Sequence, residues 1–318
     1  MSPTPDIDSV LVQWGDRLFY PGNRIVRTPP QPKLGALAAR QRAAALRERI
    51  AATVVRRAPQ VMVKVTGGGR GMKAIAAHLR YISRGGRLEM EDERGQTMRG
   101  KDALRELADD WRYGGSLIED TSPRREAFNI MLSMPRGTDP LSVQWAAREF
   151  AKAELADHKL VMVLHDHQAN PHVHISVRAE SKHGRRLNPR KTDLHRWRET
   201  FAAKLRERGI DAEATRQATR GATRNYPQLW QVKAADQGRL MRLQTRHRRG
   251  AAVADSRAEA QRAWQGIGAA LARSGDLNDR KLAIAIERFS REMAWSGQRE
   301  PSAPTPGRQP APEADRSR

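Results

Sequence analysis

The sequence predicts an α+β fold with a helical C-terminal extension and disordered termini. Three observations lead there. Strand-type runs alternate with helix-type runs between residues 60 and 220. Two of the strands, 159–165 and 172–179, are separated by only six residues and so form an antiparallel hairpin. Beyond about residue 215 strand signals vanish, and 228–296 is Arg- and Ala-rich with helical character.

Residues 1–32 are polar and hold Pro3, Pro5, Pro21, Pro29, Pro30 and Pro32, which reads as a disordered tail. Residues 33–59 form a basic helix, since 34–57 is Ala-, Leu- and Arg-rich with few breakers. Val61, Val63 and Val65 alternate with Met62 and Lys64, a strand over 61–66 that Gly67, Gly68 and Gly69 break. A helix over 72–84 follows, with Ile75, Leu79 and Ile82 on one face, and Gly85-Gly86 stops it. Residues 101–112 read as a helix, 126–134 as a strand, 140–157 as a helix and 193–208 as a basic amphipathic helix. The chain thus divides into a central unit of 60–220, a helical basic extension of 221–299 and a disordered tail of 300–318.

Composition narrows the partner. The net charge is +22, from 58 Lys+Arg against 36 Asp+Glu, which calls for a polyanion, with nucleic acid ahead of an anionic membrane surface. There is no cysteine, so disulfides and thiolate metal sites are excluded, and any metal is held by His, Asp or Glu. Neither a secretory signal nor an apolar run long enough to insert in a membrane is visible, and a cytoplasmic chain is expected.

Four of the nine histidines fall in the segment HDHQANPHVH, 165–174. His172 and His174 are two apart on a strand, so both imidazoles project from one face. His165 ends the partner strand and can come opposite that pair. Three imidazoles then converge as a divalent cation requires, with coordination positions left open for chemistry. Asp166, His167 and Asn170 are candidates to hold those imidazoles from behind. His167 reads as a fourth ligand, an outer partner or a loop residue, with the last two favoured. The other histidines, His78 among them, read as surface or packing residues.

Tyr81, one of four tyrosines, sits in HLRYISRGG on the helix face opposite the core stripe, between Arg80 and Arg84. Two cations beside a phenol suit an approaching phosphate. Lys64, Arg70 and Lys73 around the glycine loop, and Arg185, Arg186, Arg190 and Lys191 after the second hairpin strand, are candidate contacts to a nucleic-acid backbone.

Together these segments resemble a known family. His165-x6-His172-x-His174 resembles the metal motif of the HUH endonuclease superfamily. LRYISRGGRLEME resembles the tyrosine motif of its conjugative and mobilisation relaxases, the TraI/MobA/VirD type. FNIMLSMPRGTD from Phe128 to Asp139 and the run 184–216 resemble two further segments of that branch, so the likeness covers about 60–220. The tyrosine precedes the histidines, as in relaxases; in rolling-circle replication initiators it follows them. The chain departs from the family at His167, where relatives carry an acid; here the acid is Asp166.

The resemblance implies a central antiparallel sheet flanked by helices, with 60–220 as the relaxase domain. It implies Mg²⁺ or Mn²⁺ on His165, His172 and His174, and Tyr81 as nucleophile on single-stranded plasmid DNA at a transfer origin. It further implies relaxosome accessory proteins, a type IV secretion coupling protein, and passage into a recipient cell attached to DNA. The alternatives are a rolling-circle replication initiator and a non-catalytic basic DNA-binding protein with a bound metal. No G-x-x-x-x-G-K-[ST] loop occurs, so no helicase or primase extension is expected.

Overall fold

The computed structural model describes residues 6–19, 36–166, 170–222, 231, 234–235, 237–241 and 250–293. In chain order the elements are α1 (Ile7–Phe19), α2 (Ala36–Val54), β1 (Met62–Gly67), α3 (Met72–Ile82), β2 (Met90–Asp92), β3 (Thr97–Met98) and α4 (Lys101–Tyr113). There follow β4 (Ala127–Ser133), α5 (Pro140–Glu154), β5 (His158–His165), β6 (His172–Ser181), α6 (Lys191–Glu207), α7 (Ala251–Ala272) and α8 (Leu277–Glu292).

The six strands make one sheet in the order β1-β4-β6-β5-β2-β3, and every neighbouring pair is antiparallel. The α+β class and the antiparallel hairpin β5–β6 are as expected. β2 and β3 were absent from the sequence reading, because segments of three and two residues carry no periodicity.

The register sorts the side chains of the sheet onto two faces. Val63, Ile130, Leu132, Val173, Ile175, Val177 and Leu160 point to one face, where α5 and α6 cover them with Phe150, Trp197, Phe201 and Leu205. Phe150 and Trp197 meet edge to face with ring centroids 6.0 Å apart, a contact worth about 0.5–1.5 kcal/mol beyond its area. Asp139 starts α5 by accepting from the Ser142 backbone N–H, with Pro140 in the first turn.

The second face is covered over only part of its width. α3 and α4 lie over β5 and β2 through Ile75, Leu79, Ile82, Leu107 and Trp111 against Met90, Val161 and Val163. Over β1 and β4 that face is open: Met62, Lys64 and Thr66 are exposed. The histidines belong to this half-covered face.

The N-terminal expectation needs correcting. Residues 7–19, placed in a disordered tail, form α1, whose Leu11, Leu18 and Phe19 are buried. α1 and α2 pack with α7 and α8 around a second core of Leu46, Ile50, Trp264, Ile267, Leu271 and Phe289. The prolines of the first 32 residues flank this helix and do not interrupt it, so composition averaged over the window hid an amphipathic run. Gly15 marks the contact, since a Cβ there would stand 2.7 Å from Leu46. Arg49 joins this bundle to the sheet unit through Glu199 at 2.9 Å and Glu213 at 3.0 Å. The 300–318 tail lies outside the described residues. Among the described residues no helix is long and apolar enough to cross a membrane.

Candidate metal and nucleophile site

His165 and His172 are directly opposite one another in the β5–β6 ladder, and His174 lies two residues on along β6. All three side chains therefore leave the same face. Their ring centroids are 4.6 to 5.1 Å apart, and one nitrogen from each lies within 4.8 Å of the others. His165 and His172 are buried.

Backbone carbonyls fix which nitrogen of two rings carries the lone pair. His165 Nε2 donates to the Ile82 carbonyl at 2.7 Å, so Nδ1 holds its lone pair. His172 Nδ1 donates to the Asn170 carbonyl at 2.9 Å, so Nε2 holds its own. Burial, followed by the charges His165, His172 and His78 would carry, pushes His174 down to about 3. It is therefore neutral at ordinary pH. Converging imidazoles, two of them with the other nitrogen tied to a carbonyl, are a donor set a divalent cation takes. The residues present fit such an ion.

Tyr81 is in the last turn of α3 and is 71 % exposed. Its position opposite the helix core stripe is as the sequence indicates. The unforeseen feature is the contact beneath it. The carbonyl that receives His165 belongs to Ile82, the residue after Tyr81, so the helix end bearing the phenol is bonded directly to the triad.

Ser83 and the two glycines end that helix. The Ser83 backbone N–H reaches the Leu79 carbonyl at 3.0 Å, and Ser83 Oγ accepts from the Gly86 N–H at 3.0 Å. Arg84, Gly85 and Gly86 all have positive φ, of 52°, 70° and 84°. That run turns the chain away and leaves Arg80, Tyr81 and Arg84 exposed around one corner.

The other expected residues divide by position. Lys64 is in register with Met131, and Met131 with His174. Two strand spacings make that about 10 Å on one face, so Lys64 lies beside the triad on the open part of the sheet. Lys73 is eight residues before Tyr81 on α3, about 12 Å of helix. Arg70 donates to the Pro123 carbonyl at 3.1 Å. Arg185 and Arg186 follow the opposite end of β6. From His174 to Ser181 is about 23 Å at strand rise. Arg186 is held by Glu126 at 3.3 Å and Glu180 at 3.4 Å, and Arg185 is 3.5 Å from Asp157. Arg190 and Lys191 stand at the start of α6. Asp166 and Asn170 are exposed, and it is the Asn170 backbone, not its side chain, that meets His172. His167 lies outside the described residues.

Two residues with no assigned part also belong here. Ser133 is in register with His172, and its Oγ donates to the Pro171 carbonyl at 3.3 Å. His78, read as packing, lies one turn before Tyr81 with its ring 6.2 Å from that phenol and 6.5 Å from His174. The spacing of His78 and Tyr81 on a single helix was the available signal, but nothing in the sequence tied it to the hairpin.

Comparison with known proteins is consistent with this geometry. Residues 81–210 match the family model "Relaxase: MobA/VirD2-like, nuclease domain". The chain is 26% identical over 205 residues to the T-DNA border endonuclease VirD2 of Rhizobium radiobacter, covering 58% of this chain and 47% of that protein. It is 26% identical over 186 residues to the T-DNA border endonuclease VirD2 of Agrobacterium fabrum (strain C58), covering 52% and 41%. The chain thus spans less than half the length of these curated relatives. The matched segment runs from Tyr81 through all three histidines, so the likeness to a relaxase nuclease domain falls on the part of the chain that holds the site.

Proposed function

We propose that this protein is a metal-dependent DNA relaxase that nicks one strand of plasmid DNA at a transfer origin and stays attached through Tyr81. The observation that carries this reading is the 2.7 Å bond from His165 to the Ile82 carbonyl, which joins the cation-binding triad to the helix turn bearing an exposed tyrosine. Likeness to endonucleases named for a DNA border supports strand nicking at a defined site.

His165 Nδ1, His172 Nε2 and a nitrogen of His174 would hold Mg²⁺ or Mn²⁺, with Mn²⁺ the better match to imidazole donors. When bound, the ion supplies positive charge to the phosphate oxygens. Arg80 and Arg84 draw the phosphate toward the phenol, and Lys64 holds the backbone across the open sheet face. Tyr81 Oη, losing its proton, attacks phosphorus in line. The bond from phosphorus to the 3′ oxygen breaks, and that oxygen takes up a proton. The products are a 5′-phosphotyrosine and a free 3′-hydroxyl. Because one phosphoester replaces another, the hydroxyl can reverse the step and rejoin the strand.

In this reading 60–220 is the nicking domain. Accessory proteins that open the origin and a type IV secretion coupling protein are its partners, and the chain crosses to a recipient cell on its DNA. Incubation with single-stranded transfer-origin oligonucleotides and Mn²⁺ tests it. Tyr81→Phe should lose the covalent adduct and keep binding, whereas His172→Ala should lose both cleavage and bound cation. Undiminished nicking by Tyr81→Phe excludes Tyr81 as the sole nucleophile.

A further inference from the structure

Two of the three triad imidazoles have a backbone carbonyl behind them, Ile82 for His165 and Asn170 for His172. His174 has none among the described residues: its Nδ1 is enclosed and has no hydrogen-bond partner. The ring that faces it is His78, edge to face at 6.5 Å, and Nε2 of His78 is likewise enclosed without a partner. Enclosed polar nitrogens left unpaired are unfavourable, and here two occur on adjacent rings.

On the cation-binding reading of the triad, we propose that His78 is a positioning residue for His174. His174 coordinates through Nε2, and its Nδ1–H donates to Nε2 of His78 once the ion fixes the His174 ring. His78 is half-buried, and its enclosed Nε2 stands beside the His174 ring as a candidate acceptor. The role is that of an outer partner and not of a fourth ligand. The triad rings are 4.6 to 5.1 Å apart, and His78 stands outside that distance. Such partners fix the tautomer and orientation of a ligand and raise its basicity. Because His78 and Tyr81 share one turn of α3, with rings 6.2 Å apart, the bond would also tie ligand alignment to nucleophile alignment. With the Ile82 carbonyl, it gives α3 two attachments to the metal site.

Calorimetric titration of the full chain with Mn²⁺, without DNA, tests this. His78→Phe keeps a ring and removes both nitrogens, and should weaken Mn²⁺ binding about 10- to 100-fold. His78→Gln, whose amide can accept the bond, should recover most of that loss. Parent-like affinity in a folded His78→Phe chain, or a Gln variant as weak as the Phe variant, overturns the proposal. Should the Phe variant not fold, ¹⁵N-histidine spectra of the parent with Zn²⁺ decide. A protected His174 Nδ1–H correlated to His78 Nε2 supports the bond, and its absence overturns it. A parent chain that binds no Mn²⁺ overturns the cation reading and this inference with it, a failure visible before any variant is made.

Discussion

The end of α3 offers a comparison of two adjacent glycines whose outcome the geometry fixes. Gly85 and Gly86 both have positive φ, 70° and 84°, so an alanine at either pays the left-handed penalty of about 1–2 kcal/mol. They differ in surroundings. A Cβ on Gly85 meets nothing within 4 Å, while one on Gly86 would be 2.3 Å from the Gly100 carbonyl oxygen and 2.6 Å from its carbon. Those atoms are backbone, and the Gly86 carbonyl itself accepts from the Gly100 N–H at 2.9 Å, just where α4 begins. No side chain can rotate aside, so the turn and the start of α4 must move. We expect Gly85→Ala to cost about 1 kcal/mol and Gly86→Ala about 3 kcal/mol or more. Urea unfolding followed by tryptophan fluorescence measures both, since Trp111 of α4 lies in the core that α3 and α4 share. Gly86→Ala should also slow nicking, because Ser83 and Gly86 set the last turn under Tyr81. Equal losses at the two positions would refute this account of how α3 is stopped.

Other outcomes follow from the same features. His174 is held down to about 3 in the folded chain against 6.5 for an ordinary histidine, so between those values the unfolded chain binds a proton that the folded chain refuses. Stability should therefore fall as pH drops from about 6.5 toward 3 and be unaffected by this group above 6.5; urea midpoints across pH would show it, and a His174→Ala chain with the same acid profile would contradict it. Lys64→Ala should weaken single-stranded DNA binding and lower the salt slope by about 1, as read by fluorescence anisotropy at several salt concentrations. Arg186→Ala, which leaves Arg124 as the remaining cation beside Glu126 and Glu180, should lower thermal stability and leave the salt slope nearly unchanged. Leu18→Ala in α1 should cost about 2–5 kcal/mol, since Leu18 is 1% exposed in the second core; a neutral result would mean that the N-terminal helix does not pack there.

The sheet and the triad were legible because each rests on a short-range rule. Alternation of Val61, Val63 and Val65 marks a strand, and two histidines at spacing two on a strand must share a face. The six-residue loop then brings His165 opposite His172 without further information. What stayed hidden depends on contacts between segments distant in sequence. The Ile82 carbonyl under His165 joins residues 83 apart, and no pattern in either segment announces it. His78 looked like one more polar residue on a helix until β6 put His174 against it. The cations show the same limit from the other side. Arg185 and Arg186 follow the histidine strand closely in sequence, yet the length of β6 carries them away from the triad. Lys64, about a hundred residues earlier, is brought beside it by the β1-β4-β6 order. The tail assignment failed for a different reason: α1 is stabilised by packing on α2 and α7, and tertiary burial of Leu11 and Leu18 outweighs a polar, proline-flanked composition.

The central claim is that Tyr81 and the three-histidine triad work as one strand-transfer centre. Its most direct test is to trap the adduct on a single-stranded transfer-origin oligonucleotide with Mn²⁺, digest with trypsin and map the modified residue by mass spectrometry. The account requires the DNA to be joined through its 5′-phosphate to Tyr81, with a free 3′-hydroxyl on the other fragment and no adduct after metal removal. Attachment to another residue, or cleavage that leaves two free ends and no protein-linked DNA, would contradict it.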